Sequence, residues 1–318
     1  MKVITLTEQG ERHVPYVATI GFFDGVHQGH RFLIDKVVET AHQMGMASMV
    51  ITFAVHPGQV LHPDWHPQLL TTLDEKTALL TQTGIDQLVV LPFDAAMAAL
   101  PARDFMADVL LGQLGVRVLV MGYDNRFGHH GVGSAEGFDD YVRYGQELGM
   151  SVLPCTPFDA GAVRVSSSQV RRFLQEGNVE QAARCLGRPY ELMGEVVHGH
   201  HVGTGLGFPT ANLSPSCTDK LIPATGVYAV LVRIGDSQEP LLGMMNIGRR
   251  PTFDGAHLTL ETHIFHFNGN LYGQQLYVSF VRHLRPEMKF DSSEALAVQL
   301  ATDAQQSEEL LNKTINIL

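Results

Sequence analysis

The stretch Gly21-Phe22-Phe23-Asp24-Gly25-Val26-His27-Gln28-Gly29-His30 joins a short apolar run to a segment of helical periodicity. The apolar run before it is Val17–Ile20, and after it apolar residues recur at three- and four-residue spacing until Gly45. A buried strand, a glycine-rich turn and a helix in this order predict the first unit of a β-α-β fold. Ligands of such sheets bind beyond the carboxyl ends of the strands, which is where this turn is expected.

The remainder of the first half repeats this alternation. Apolar runs typical of strands lie at Met49–Phe53, Gln87–Leu91 and Arg117–Met121. Helical patterns lie at Asp104–Leu114 and Ala135–Leu148. Because strands that alternate with helices pair in parallel and are covered on both faces, we expect an α/β domain built on a parallel sheet.

The second half has strand-like runs separated by Gly, Pro, Asn and Asp, without helix-length patterns between them. These runs are Glu191–Val197, Val227–Ile234, Leu241–Ile247, Leu258–Phe267 and Gln275–Leu284. They predict a small closed antiparallel β-barrel, followed by a C-terminal helix from about Ser292 to Leu311 that Asp291 can cap. The expected domains are residues 1–184 and 185–318.

Composition restricts the possible partners. The formal net charge of -11 argues against nucleic acid, since proteins that bind phosphate backbones usually carry a basic face. Three cysteines without a C-x-x-C pair disfavour a disulfide framework and a structural zinc site. The sequence has no signal-peptide pattern and no apolar run of membrane-spanning length, so we expect a soluble cytoplasmic protein without a membrane partner. Its oligomeric state stays open.

His27 and His30 are the first candidate chemical groups. They lie at the start of a predicted helix, whose free N–H groups and dipole favour an anion. Imidazoles at this spacing point the same way and can donate hydrogen bonds to phosphate oxygens. Two alternatives are ordinary loop histidines, in a chain with 16 of them, and a zinc site for which no third ligand stands out.

A second glycine-rich stretch, residues 203–212, ends in Pro209-Thr210-Ala211-Asn212. Because proline opposes a helix, Thr210 and Asn212 are expected on extended chain, pointing to one side. A hydroxyl and an amide carbonyl are oxygen ligands that Mg²⁺ accepts beside substrate phosphates. The glycines that precede them are expected to shape a loop over ATP: Gly203, Gly205 and Gly207.

Glu261 is the single carboxylate in the strand-like run Leu258–Ile264. A lone acid in a strand usually faces solvent or belongs to a salt bridge. If it faces a site instead, it can accept the proton of an attacking hydroxyl during phosphoryl transfer. The sequence leaves these two readings open.

The first constellation resembles a known signature. His27-Gln28-Gly29-His30 is similar to the H-x-G-H signature of the nucleotidylyltransferase superfamily, and Phe23–His30 resembles the N-terminal module of bacterial bifunctional riboflavin kinase/FAD synthetases. Ser166–Arg171 and Gly122–Gly128 resemble two further stretches of that module. The resemblance implies a Rossmann-like nucleotidylyltransferase domain, an FMN adenylyltransferase, with both histidines as catalytic contacts to the phosphates of ATP.

The same resemblance implies further binding residues. ATP would be bound by Gly21, Phe22, Asp24, Gly25, Gly29, Ser166, Ser167, Ser168 and Arg171. Flavin would be bound by Asp124, Asn125 and Phe127. Hydroxyls and an arginine suit the β- and γ-phosphates, which leave together as pyrophosphate. Alternatively, the serines are a common N-cap cluster and residues 122–128 a plain turn.

The second half resembles the riboflavin kinase module of the same family. Six ordered stretches carry the resemblance: Gly207–Asn212, Gly226–Tyr228, Asn246–Phe253, Glu261–Ile264, Leu271–Gly273 and Leu284–Phe290. It implies Thr210 and Asn212 at the Mg²⁺ ion and Glu261 as the base for the ribityl 5′-hydroxyl. It also implies Arg285 in a loop near the flavin, and ATP, riboflavin and FMN as substrates.

Several positions depart from the family pattern. Phe22 stands where an asparagine is usual, Thr204 where many members have arginine, and Asn125 where an aromatic residue is usual. Two of these lie in the adenylyltransferase half. The alternatives are therefore a riboflavin kinase with a degenerate first half, and a non-catalytic flavin-binding regulator.

Overall fold

The computed structural model describes residues 2–5, 14–62, 64–122, 125–129, 136–158, 165–198, 207–252 and 255–315. The chain divides into two compact units, Met1–Ser167 and Ser168–Leu318. In this division residues 168–184, which we expected in the first domain, are grouped with the second unit. The boundary after residue 184 stays a prediction.

The first unit contains a six-stranded parallel sheet. Its strands are β1 (Lys2–Thr5), β2 (Tyr16–Ile20), β3 (Ala47–Phe53), β4 (Gln87–Leu91), β5 (Val116–Gly122) and β6 (Ser151–Cys155). Their order is β1-β4-β3-β2-β5-β6. The chain therefore runs outward from β2 in one direction through β3 and β4, and in the other through β5 and β6. This reversal makes the carboxyl end of β2 a topological switch point, where such sheets bind ligands.

Helices connect these strands and cover both faces of the sheet. They are α1 (Gln28–Met44), α2 (Pro57–Leu61), α3 (Leu73–Thr81), α4 (Ala95–Ala98), α5 (Ala102–Asp104), a π-helical segment Phe105–Gln113 and α6 (Phe138–Leu148). Neighbouring residues of β2 separate to opposite faces: Val17 packs in the core cluster with α1, and Ala18 in the cluster with the π-helical segment. The α/β prediction is confirmed. The apolar periodicity at Asp104–Leu114 correctly predicted a helix. It could not show that residues 105–113 form a π-helix, whose turns are wider than those of an α-helix.

The second unit contains a closed antiparallel barrel of six strands, also as predicted. The strands are β7 (Tyr190–Val197), β8 (Ala211–Pro215), β9 (Gly226–Ile234), β10 (Leu241–Thr252), β11 (Gly255–Ile264) and β12 (Gln275–Arg285). They close in the order β10-β11-β8-β7-β12-β9. Strand β8, which the sequence did not predict, directly follows Pro209-Thr210 and lies between β7 and β11.

Among the described residues, three helices accompany the barrel: α7 (Ser167–Gln175), α8 (Val179–Leu186) and α9 (Ser293–Ile315). Helix α9 packs on the outer face of β9 and β10, where Leu311 joins Ala229 and Met244 in one core cluster. The expected cap of this helix was wrong. Ser292 rather than Asp291 caps it, because the Ser292 hydroxyl accepts a hydrogen bond from the Ala295 amide at 3.1 Å.

Candidate functional site

Residues 21–27, which we call the motif loop, connect β2 to α1 at the switch point of the sheet. Phe23 and Val26 have φ angles of 55° and 40°, and Gly25 has a φ of 80°. Left-handed backbone is unfavourable for residues with a side chain, by about 1–2 kcal/mol each, and especially for a β-branched valine. The loop is therefore strained, and contacts from the rest of the unit must hold it in place.

Asp24 supplies one of these contacts. Its carboxylate is buried and accepts hydrogen bonds from the backbone amides of Leu70 and Thr71, at 3.0 Å, and from the Thr71 hydroxyl at 3.2 Å. The same hydroxyl accepts a hydrogen bond from the Gly25 amide at 3.0 Å. Asp24 thus fixes the loop against the segment that precedes α3, and a contact of Asp24 with ATP stays a prediction.

His27 and His30 lie together at the start of α1. His27 is the N-cap, and its Nδ1 accepts a hydrogen bond from the His30 backbone amide at 3.2 Å. An accepting Nδ1 carries no proton, so the neutral His27 ring carries its proton on Nε2. The two rings are stacked, with centroids 3.5 Å apart and planes at 17°. Gly29 allows this, because a Cβ there would lie 3.2 Å from the His27 ring.

The surroundings of His30 keep its ring neutral. Burial lowers its pKa well below the ordinary value of 6.5, and the positive charge of Lys76 lowers it further. Its buried Nδ1 has no hydrogen-bond partner among the described residues. Two neutral imidazoles beside a helix N-terminus can donate to phosphate oxygens without bringing together two like charges.

The start of α7 also contacts the motif loop. The Ser167 hydroxyl donates a hydrogen bond to the Asp24 backbone carbonyl at 2.9 Å. Ser166 directly precedes this helix, while Ser168 and Arg171 lie on it in the second unit. Contacts of these four side chains with phosphate stay predictions. The hydrogen bond of Ser167 gives it a definite part in the shape of the loop.

Asn125 and Phe127 follow strand β5. The Asn125 amide donates a hydrogen bond to the Ile20 carbonyl at the end of β2, so it connects the two strands on either side of the switch point. The Phe127 ring packs 4.6 Å from that of Tyr141, whose hydroxyl bonds both backbone groups of Phe127. Flavin binding by these residues stays a prediction, and Asp124 lies outside the described residues.

Gly21 and Phe22 begin the motif loop. The Gly21 amide donates to the Ile51 carbonyl at 3.0 Å, and a Cβ at Gly21 would lie 3.2 Å from the Phe23 ring. The Phe22 carbonyl accepts hydrogen bonds from the Thr52 hydroxyl and from the ammonium group of Lys76. Neither Thr52 nor Lys76 could be predicted from the sequence, because both contacts join segments far apart in the chain.

The barrel brings the residues of the second constellation together. Glu261 on β11 lies directly opposite Asn212 on β8 and opposite Asn246 on β10. Directly opposed residues of antiparallel strands project to the same face, so the three side chains form one row. Thr210 precedes Asn212 by two residues and, on extended chain, lies on the same side. The sequence did not single out Asn246, because its position depends on strand register.

A cavity of about 270 Å³ opens beside this row. Thr210, Glu261 and Arg285 line it together with apolar residues of the barrel and of α9, among them Phe208, Val227, Met244, Met288, Leu296 and Leu300. Its size is near the lower end of small-molecule sites, roughly 300 Å³. A cavity with both apolar and polar lining residues suits a flat ring system with a polar tail.

The row of Thr210, Asn212 and Glu261 is suited to a hard metal ion. A threonine hydroxyl, an asparagine carbonyl and a glutamate carboxylate are oxygen donors of the kind that Mg²⁺ accepts while it keeps water and phosphate ligands. His263 also lines the cavity, and its Nδ1 lies 2.8 Å from the Pro209 carbonyl, next to Thr210. Gly207 has a φ of 83°, and Gly203 and Gly205 lie outside the described residues.

Arg285 ties the cavity wall to helix α9. Its Nε and Nη2 donate to the carboxylate of Asp303 at 3.0 and 2.7 Å, and its Nη1 donates to the Pro286 carbonyl at 3.1 Å. Gln299 donates to the same carboxylate at 2.8 Å. The guanidinium is thus held in one orientation at the edge of the cavity. Its contact with flavin stays a prediction.

These two sites define a class of protein: a transferase with two phosphate-handling sites, one on a parallel α/β unit and one on a barrel. Residues 9–169 match the family model described as FAD synthetase, and residues 186–311 match the model described as riboflavin kinase. The chain belongs to the family of bifunctional riboflavin kinase/FMN adenylyltransferases. Enzymes of both kinds typically use a divalent metal ion and small-molecule substrates.

Relatives that carry this family name match over nearly their full length. The relative from Escherichia coli K12 is 37% identical over 94% of this chain and 93% of its own. That from Pseudomonas fluorescens is 37% identical over 92% and 91%, and that from Bacillus subtilis is 34% identical over 96% and 97%. The departures at Phe22, Thr204 and Asn125 therefore occur within an otherwise full-length match.

A solved structure from Streptococcus pneumoniae, described as a macrolide-efflux protein, matches with a TM-score of 0.86 and 30% identity. The match covers 96% of this chain and 98% of that one, so the two share both parts of the fold. Efflux is the description of that protein only. Within the part of this chain that the structure describes, no helix has both the length and the apolar character needed to cross a membrane.

The ion pair of Arg285 predicts a measurable loss of stability. In the variant Asp303→Asn, a largely buried guanidinium loses its charged partner, and we expect the free energy of unfolding of the second unit to fall by about 3 kcal/mol. Urea unfolding measures this. The matched control is Glu176→Gln, whose pair with Arg172 is exposed at 3.8 Å, and which should change stability by less than about 1 kcal/mol. Equal losses in both variants would contradict the assigned role of the pair.

The neutral state of His30 predicts how stability depends on pH. The folded unit holds the pKa of His30 below 6.5, whereas the unfolded chain has the ordinary value. As the pH falls through 6.5, the unfolded state binds a proton that the folded state does not, so the first unit loses stability. Melting temperatures between pH 8 and pH 5.5 should show a smaller decline for His30→Gln than for His42→Gln, an exposed change on the same helix. An identical decline in both would refute this assignment.

Proposed function

We propose that the chain performs the two reactions of its family at two separate sites. In the second unit, riboflavin receives the γ-phosphoryl group of ATP, giving FMN and ADP. In the first unit, FMN receives the adenylyl group of a second ATP, giving FAD and pyrophosphate. The product of one reaction is thus a substrate of the other.

In the kinase reaction the attacking group is the ribityl 5′-hydroxyl of riboflavin. This hydroxyl must lose a proton as its oxygen bonds to the γ-phosphorus and the bond to ADP breaks. Glu261 is the proposed acceptor of the proton, because its carboxylate lines the cavity beside Thr210. Thr210 and Asn212 would hold Mg²⁺, which neutralises the charge of the phosphate oxygens when bound. The apolar part of the cavity would hold the isoalloxazine ring.

In the adenylyl transfer the attacking group is a phosphate oxygen of FMN, which is already ionised at neutral pH. This oxygen bonds to the α-phosphorus of ATP, and the bond to pyrophosphate breaks, so the step does not require a base. The need is instead for hydrogen-bond donors around the phosphates. His27 and His30, with the N-terminus of α1, would supply them. The observation that carries this proposal is the stacked pair of imidazoles at a helix N-terminus.

The product profile tests the proposal. Riboflavin, ATP and Mg²⁺ are mixed with the purified full chain, and the flavins are separated over time. We expect FMN to appear first and FAD to follow, and EDTA should stop both until Mg²⁺ is restored. FMN without FAD would indicate a kinase with a degenerate first half. Unchanged riboflavin would indicate a binding protein.

The variant His30→Ala should lose FAD formation selectively. Removing one donor to the developing phosphate charge is expected to slow adenylyl transfer by about 100- to 1,000-fold. FMN should still accumulate from riboflavin, since the barrel is unchanged. A parallel loss of both products would show that the two reactions do not have separate sites.

The variant Glu261→Gln should have the opposite effect. Without the base, we expect FMN formation to fall by about 100-fold or more, while FAD is still made from supplied FMN. Glu195→Gln, an exposed acid-to-amide change on strand β7, is the matched control and should leave both rates unchanged. A near-normal kinase rate in Glu261→Gln would show that the base was assigned incorrectly.

We also propose that Mg²⁺ is the metal used in the cell, that the protein works in the cytoplasm, and that it has no nucleic-acid partner. The oxygen donors of Thr210 and Asn212 support the metal, and the net charge of -11 supports the absence of a nucleic-acid partner. Three cysteines without a C-x-x-C pair fit the reducing conditions of the cytoplasm.

A further inference from the structure

Lys76 is a buried charged residue that neither reaction explains so far. It lies in helix α3, and only 2% of its surface is exposed. Lysine is almost never fully buried unless its ammonium group has partners. Burial lowers the pKa of Lys76 to about 8, and Asp24 opposes this shift. The fold therefore keeps an amine next to the motif loop, although desolvation disfavours its charged form.

The partners of this ammonium group are backbone carbonyls at the edge of the sheet. Lys76 Nζ donates to the carbonyl of Phe22 at 3.1 Å and to that of Phe53 at 2.9 Å. Phe22 follows the end of β2, and Phe53 is the last residue of β3, its neighbour in the sheet. Nζ also lies 3.8 Å from the centre of the Phe22 ring, a cation–π contact. One ammonium group thus joins the carboxyl ends of two strands.

Lys76 works together with the Asp24 contact. Asp24 is held by Leu70 and Thr71, and Phe22 is held by Lys76, so a single short segment fixes the loop at two positions. The left-handed residue Phe23 lies between these two anchors, and Val26 follows Asp24 by two residues. Strained backbone persists only where its surroundings enforce it, and His27 comes next in the chain. Release of Phe22 would let the loop relax and shift the His27 ring.

We propose that Lys76 is a positioning residue for adenylyl transfer, which acts by holding the Phe22 carbonyl and ring so that the motif loop presents His27 and His30 to the phosphates. This inference rests on the proposed function of the first unit. Lys76 need not touch a substrate, because its effect passes through the backbone of the loop. The geometry assigns it to this reaction alone, so the kinase reaction of the same chain should be independent of it.

The test compares Lys76→Met with Lys76→Arg in the full chain. Lys36→Met is the matched control, since Lys36 is an exposed lysine of the same unit paired with Glu39. FAD formation is measured from supplied FMN and ATP, and FMN formation from riboflavin and ATP serves as the internal control for folding. For Lys76→Met we expect kcat of FAD formation to fall by about 100-fold, the effect of a roughly 1 Å displacement. KM for FMN, and the kinase rate, should stay within about twofold.

Two further readouts separate positioning from general destabilisation. Lys76→Arg keeps a donor that can reach carbonyls, and it should recover at least a tenth of the wild-type kcat. Hydrogen exchange in Lys76→Met should increase at the amides of Gly25 and His30, which are hydrogen-bonded to Thr71 and His27 in the native loop. The melting temperature should stay within about 5 °C of the wild type.

A normal kcat of FAD formation in Lys76→Met would overturn the inference, and so would a Lys76→Arg variant as slow as Lys76→Met. The inference is also overturned if the loss of kcat in Lys76→Met comes with an equal loss of the kinase rate, or with unfolding of the first unit. Failure of the proposed function looks different. In that case the wild-type chain itself forms no FAD from FMN, and the inference falls with it.

Discussion

The first unit depends on keeping a phenylalanine and a valine in left-handed backbone between β2 and α1. Phe23 and Val26 have φ angles of 55° and 40° in the connection that ends at His27, the N-cap of α1. Buried polar contacts to Asp24 and Phe22 oppose the strain. Strain of this kind is typical of functional loops, where a close approach of backbone to ligand matters more than local stability.

The two sites meet different chemical needs, and their residues differ accordingly. A hydroxyl nucleophile needs a base, and the barrel places a carboxylate in register with asparagines on both neighbouring strands. A phosphate nucleophile is already charged, and the α/β unit instead offers neutral imidazoles and helix amides. A carboxylate beside the adenylyl-transfer site would repel the phosphates of both FMN and ATP. The Asp24 carboxylate accepts hydrogen bonds from the backbone amides of Leu70 and Thr71, and these reduce its repulsion of phosphate.

The sequence predicted the architecture because periodicity reports burial directly, as at Gln87–Leu91, where the observed strand has the predicted bounds. It failed where structure depends on pairing between distant segments. Strand β8 is short and follows a proline, and one of its two partners, β11, lies far along the chain. Lys76 stands after Asp74 and Glu75, a pattern typical of an exposed helix face, yet its ammonium group contacts Phe22. Local composition cannot show such contacts.

The two reactions should act on different phosphorus atoms of ATP, the γ-phosphorus in the barrel and the α-phosphorus in the α/β unit. Label transfer distinguishes them: riboflavin is converted by the full chain with ATP labelled at either the α- or the γ-phosphorus, and the label in each flavin is counted. The γ-label should appear in FMN and persist in FAD, whereas the α-label should appear in FAD only. Label from the α-phosphorus in FMN, or FAD without the γ-label, would show that the two reactions do not divide the phosphorus atoms of ATP in this way.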